Sequence, residues 1–224
     1  MDKAVNVADQ STDGVRRRRS TGEGARRADR MREIILDVAL DSFSAAGFIG
    51  TSTRSIAKLA GVQHSLVNYH FKNKEMLWIA VMDRVLCQLT DLIDEAIGED
   101  PNRSASEKLR LFIEIYAKTA ASSPQAFRIL TQQSTQASER LDWLMERYLR
   151  EQFKQITGLI ADGQAEGTVI EGDPAHVFFL ILGCTGTYFA ATRGYTILTG
   201  KDPASAAEMH RLISFICSVV FKGK

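Results

Sequence analysis

The stretch TSTRSIAKLAGVQHSLVNYHFKNKE, residues 51–75, reads as two short helices joined by a tight turn. Thr51 or Ser52 is placed to cap the first helix, because a hydroxyl accepts hydrogen bonds from backbone N–H groups that lack a helical partner. Ile56, Leu59 and Ala60 recur at helical spacing and predict one buried side. Gly61 follows at the helix end, where a left-handed backbone costs glycine nothing. Val62, Leu66 or Val67, and Phe71 predict the buried face of the second helix. Gln63, His64, Ser65, Asn68, Tyr69 and His70 are left facing outward. A helix, a glycine turn and a second helix with a polar outer row have the geometry that enters the DNA major groove. Gln and Asn pair with adenine through two hydrogen bonds, and Ser, Tyr and His donate to phosphate or base edges.

Upstream, VALDSFSAAGF (38–48) supplies a preceding helix. Together with TSTRSIAKLAGV (51–62) and NYHFKNKEML (68–77), it resembles the N-terminal DNA-binding domain of the tetracycline-repressor (TetR) family over about residues 30–80. His64 stands where the family often has Lys, and Asn68 where it often has Tyr, so base preference does not carry over. The resemblance implies that Thr51, Ser52 and Arg54 hold backbone phosphates at a positive helix end, with Lys72 and Lys74 doing likewise.

Charge is distributed to match. The net formal charge is only +1, but residues 1–74 carry 13 Lys and Arg against 8 Asp and Glu, whereas the rest carries 15 against 19. A basic front and a mildly acidic body suit a chain that offers one end to phosphate. Residues 1–28 are polar, hold the run Arg16 to Arg19 and lack apolar periodicity, which predicts a disordered basic arm lying along DNA. Helix 1 is expected from about Asp29 to Ala46, with Ile35, Val38, Ala39 and Phe43 as its apolar stripe. Arg26, Arg27 and Arg30 lie near phosphate reach. Residues 29–73 form the expected helix-turn-helix domain.

Residues 74–224 read as a larger helical domain for effector binding and dimerisation. The linking helix runs from Lys74 to about Ile97, with Leu77, Val81, Val85 and Leu89 at helical spacing. Further helices are expected over 103–122, 124–137, 139–166, 174–198 and 203–221, with Pro124 and Asp173-Pro174 as start signals. No alternating strand pattern persists, so the class is all-α.

Residues 177–191, VFFLILGCTGTYFAA, are the most apolar run and are too short for the roughly twenty residues that span a bilayer. With 203–221 they predict a four-helix dimer interface through Phe178, Leu182, Gly183, Gly186, Met209, Leu212, Ile213 and Ile216; the family resemblance implies the same arrangement. Phe127, Trp143, Tyr148, His176 and Phe179, with Phe178, are candidates to line an effector cavity.

Cys87, Cys184 and Cys217 are far apart and predict buried reduced thiols, with no metal-ligand spacing. P-loop, GxGxxG, GxSxG and HExxH patterns are missing, so no cofactor and no enzymatic activity are expected. No cleavable signal is read, and the cytoplasm is the expected compartment. The expected activity is that of a one-component regulator, a repressor that binds a pseudo-palindromic operator on double-stranded DNA as a homodimer and is released by an unidentified small effector. A DNA-binding protein answering to a protein partner, or to nothing, is the alternative; a helical enzyme is a more distant one.

Overall fold

The computed structural model describes residues 12–135 and 137–223, with side chains from Arg26 onward. The chain is helical throughout these residues, and its only extended pairing there is a single antiparallel bridge between Val169 and Phe221.

Helix α1 (Thr12–Gly50) buries Ile35, Leu36, Ala39, Leu40 and Phe43, and breaks at Gly47 (φ +70°). It starts well before the expected boundary at Asp29, which corrects the expected arm over residues 12–28. Arginine and alanine favour helix, and no proline interrupts them. Residues 1–11 of that arm, and the side chains of Arg16 to Arg19, lie outside the described residues. Helices α2 (Thr53–Leu59) and α3 (His64–Phe71) complete a three-helix head. Asn73 caps α4 (Lys74–Gly98), its Oδ1 accepting from the Met76 N–H at 2.8 Å. Eight apolar side chains on α4, from Leu77 to Ile93, are buried against α1 and the body.

The body follows the start signals in the sequence. Helix α5 (Ala105–Ser122) opens on a capping box in which Ser104 and Glu107 each bond the other's backbone N–H. Those bonds hold the Glu107 carboxyl below its ordinary range. Pro124 starts α6 (Pro124–Gln133), which ends short of the expected 137. The expected helix 139–166 is α7 (Glu139–Leu144), a widened π turn (Met145–Leu149) and α8 (Arg150–Ala165). Similarly, 174–198 divides into α9 (Pro174–Leu182), a second π turn (Gly183–Thr187), α10 (Tyr188–Ala190) and α11 (Thr192–Thr199), with a 77° bend after Ala190. No single helix among the described residues is long and apolar enough to cross a membrane. Helix α12 (Ala206–Val220) closes the body, and its end is pinned to the loop after α8 by Ile170 N–H to Val220 O and Lys222 N–H to Thr168 O, both 2.9 Å. The three cysteines are free and half-buried, less enclosed than expected.

One apolar core runs from the head into the body. Trp78, fully buried, sits where they meet, with Trp143 edge-on at 5.9 Å.

Candidate nucleic-acid interface and effector cavity

The helix-turn-helix is built largely as its residues dictate. Ser52 caps α2: its Oγ accepts from the Ser55 N–H at 3.0 Å, and its own N–H donates to Ser55 Oγ at 3.2 Å. Gly61, at φ +66°, makes the turn that an L side chain would strain. Helix α2 buries Ile56 and Ala57, while Leu59, expected inside, is 69% exposed at its last turn. Helix α3 buries Val67 and Phe71, and Leu66 is half-buried.

Around this frame the predicted contacts fall into two groups. Ser52, Arg54, Gln63, Ser65, Asn68, Tyr69 and Lys72 are exposed, with Tyr69 at 79%. Gln63 makes no capping bond, so its amide is open. Lys72 closes α3 at φ +61°, a strained conformation for a lysine, directly beside the polar row. Lys58, exposed in the last turn of α2, joins them and was missed because it stands among apolar residues. Arg26, Arg27 and Arg30 are exposed on α1.

The second group is turned wholly or partly inward, which for the buried Thr51 corrects the expectation of a DNA contact and for Lys74, His64 and His70 adds bonds or packing within the head. Thr51 is buried, and its hydroxyl donates to the Gly47 carbonyl at 2.8 Å with the Ser42 carbonyl at 3.1 Å. The Lys74 ammonium donates to the carbonyls of Phe48 (2.9 Å) and Thr51 (3.0 Å) and sits 4.3 Å from the centre of the Phe48 ring. It clasps the loop after α1 to the start of α4. His64 is half-buried and hydrogen-bonded through Nε2 to Thr53 Oγ1 at 2.9 Å, tying α3 to α2. His70 is half-buried between Tyr69 and Phe71, and its Nε2 is enclosed with no partner among the described residues.

In the body, a cavity of about 620 Å³ opens among α5, α6, α8, α9 and the two π turns. Its wall is aromatic and aliphatic, with Tyr116, Phe127, Phe153, Phe178, Leu130 and Leu182 prominent, and Thr131, Ser134, Thr135, Thr187 and Arg150 add polar groups. Both π turns face it, through Met145 and Leu149 from one and Gly183, Gly186 and Thr187 from the other. Inserted turns of this kind collect at functional sites. Of the six predicted effector residues, Phe127, Phe178 and Phe179 line the cavity. The other three do not. Trp143 packs against Trp78 and Tyr148. Tyr148 looks across α8 into a separate cleft, its hydroxyl bonded to Asp83 and 3.4 Å from Cys87 Sγ; burial and the Asp83 bond push its pKa up. His176 is exposed in the first turn of α9. Tyr116, Leu130 and Phe153 were not predicted, although the 3–4 spacing of Phe127, Thr131 and Ser134 was a legible sign of a half-polar wall on α6.

The predicted dimer residues divide as well. Gly183 is exposed, and Leu182, Met209, Leu212 and Ile213 are half-buried. Phe178 and Ile216 are buried within the chain, Phe178 between Phe112 and Phe153. Gly186 faces inward, where an added Cβ would stand 3.2 Å from both the Phe127 ring and the Tyr116 hydroxyl. On α9 and α12 the apolar side chains that reach the surface include Phe179 (65% exposed), Leu180, Phe215 (62%) and Val219, and on α11 Ile197 and Leu198 are more exposed still.

The family model described as "Bacterial regulatory proteins, tetR family" matches residues 35–81, and "YcdC-like protein, C-terminal region" matches residues 86–224. The HTH-type transcriptional regulator RutR of Escherichia coli (strain K12) is 28% identical over 208 residues, covering 92% of this chain and 95% of that protein. The HTH-type transcriptional repressor NicS of Pseudomonas putida is 27% identical over 220 residues, covering 92% and 97%. Among solved structures, AibR in complex with isovaleryl coenzyme A and operator DNA shares the fold at a TM-score of 0.69, with 17% identity over 85% of this chain and 98% of that one. KstR2 of Mycobacterium tuberculosis does so at 0.67, with 19% identity over 86% and 95%. The chain therefore belongs to the TetR family of helix-turn-helix transcriptional regulators.

Proposed function

We propose that the protein is a repressor that binds a pseudo-palindromic operator as a homodimer and lets go when a small molecule fills the body cavity. Gln63, Ser65, Asn68 and Tyr69 read base edges in the major groove, while Ser52, Arg54 and Lys72 hold flanking phosphates. The exposed faces of α9 and α12 pair with their copies in the partner, which covers Phe179, Leu180, Phe215 and Val219. An apolar patch of this kind marks an interaction surface.

The observation that carries the effector reading is the position of α6. Phe127, Leu130 and Thr131 stand on the cavity wall. From the same helix, Gln125 Nε2 donates to Asp41 Oδ1 at 3.0 Å and Gln132 Nε2 to the Ser44 carbonyl at 3.4 Å, both on α1 of the head. A ligand that displaces α6 therefore acts on the DNA-binding unit through a single helix. It shifts the equilibrium only by its differential affinity for the two arrangements.

The test is selection of bound duplexes from a random pool by the full chain. An inverted repeat with half-site centres about 34–36 Å apart is expected, together with a two-chain particle in sedimentation. A monomer that enriches no repeat would overturn the reading.

A further inference from the structure

The cavity wall narrows the chemistry of its occupant, on the reading that this cavity is the effector site. Tyr116 is only 7% exposed, and its hydroxyl has no hydrogen-bond partner among the described residues. Burial raises its pKa, so it stays a neutral donor at ordinary pH. Opposite it stands Gly186, whose missing side chain leaves that oxygen uncovered. The ring is buried while the hydroxyl reaches the cavity, so a partner for that hydroxyl has to come from there.

The hydroxyl protons on and just after α6 are already committed. Thr131 donates to Phe127 O at 2.9 Å, Ser134 to Leu130 O at 2.8 Å and Thr135 to Gln132 O at 2.8 Å. Arg150 is the one ionisable group on the wall besides Tyr116, and Glu146 already grips it through Nε at 3.0 Å and through a terminal nitrogen. Its charge is thus offset at the rim. No carboxylate stands among the described lining residues to receive a cation. Burying an ion without a counter-charge is unfavourable.

We propose that the cavity takes an uncharged, largely aromatic molecule whose carbonyl-type oxygen accepts a hydrogen bond from the Tyr116 hydroxyl. Four probes share one diphenyl frame: benzophenone, diphenylmethane, diphenylacetate and diphenhydramine. Their affinities for the full chain are measured by titration calorimetry, with binding of the selected duplex as the check on folding. Benzophenone is expected to bind, and the anion and the cation to bind about tenfold more weakly or worse. Tyr116→Phe should weaken benzophenone about 3- to 10-fold and leave diphenylmethane unchanged. Equal or tighter binding of diphenylacetate or diphenhydramine overturns the proposal. So does an unchanged ratio of benzophenone to diphenylmethane in Tyr116→Phe, or no binding by any of the four. A chain that recognises its duplex and is released by an ion instead would keep the regulatory reading and lose only this one.

Discussion

The head and the cavity wall are both helical, yet they are held in opposite ways. The head is clasped by polar side chains: the Lys74 ammonium on two carbonyls, the Thr51 hydroxyl on Gly47, the Ser52 and Ser55 box at the surface and the His64 bond to Thr53. Those bonds tie the small unit together and leave Asn68 and Tyr69 exposed. The cavity wall is held by aromatic packing around an opening, and the Tyr116 hydroxyl, with no protein partner among the described residues, faces that opening. Rigidity is useful where a surface must fit a fixed groove. A packing vacancy is useful where the shape must change.

Four substitutions press on that contrast, taken from the largest effect down. Trp78 is fully buried at the junction, so Trp78→Ala should lower stability by about 3–5 kcal/mol in chemical denaturation. A loss under about 1 kcal/mol would mean that head and body are not joined there. Lys74→Met keeps the stem and removes the charge-assisted bonds. It should cost about 1.5–3 kcal/mol and weaken duplex binding with it, whereas a loss of DNA affinity at unchanged stability would return Lys74 to the phosphate contacts. Asn68→Ala should do the reverse, leaving the denaturation midpoint in place and lowering duplex affinity by about 1–3 kcal/mol per half-site in a gel shift. Leu130→Trp should fill part of the cavity with little change in melting temperature, and the duplex complex should then stop responding to any cavity ligand.

The smallest effect concerns acid. Arg211 first, then Tyr195 and Lys201, bring the Glu208 carboxyl down to about 2. A folded value below the ordinary one stabilises the protein at pH above about 4.3 and loses that contribution as the pH falls toward 2. The melting-temperature gap between the native chain and Glu208→Gln should therefore close across that window. A gap that is constant with pH would remove the carboxylate from the account.

Helix positions were legible because their ends are chemically marked. Pro124 and Asp173 stand at helix starts, as read, and α4 covers Lys74–Gly98 against an expected end near Ile97; the caps at Asn73 and Ser104 went unread. Direction was less legible. Periodicity says that a helix has an apolar side without naming what that side meets, so Gly186 was assigned to a partner chain when it faces Tyr116. Charge misled in the same way at Lys74, because a lysine that caps carbonyls looks in sequence like one that awaits phosphate. Trp143 and Tyr148 were assigned to the cavity because both are aromatic and on the right helix. The π turn beginning at Met145 changes the angular order there, and they face α4 instead.

That turn and its counterpart at Gly183–Thr187 each carry a surplus residue relative to ordinary helical pitch. With two of them bordering the same hollow, the outline of the wall depends on where each turn sits, and deleting one residue from either would rotate the lining side chains beyond it by about 100°.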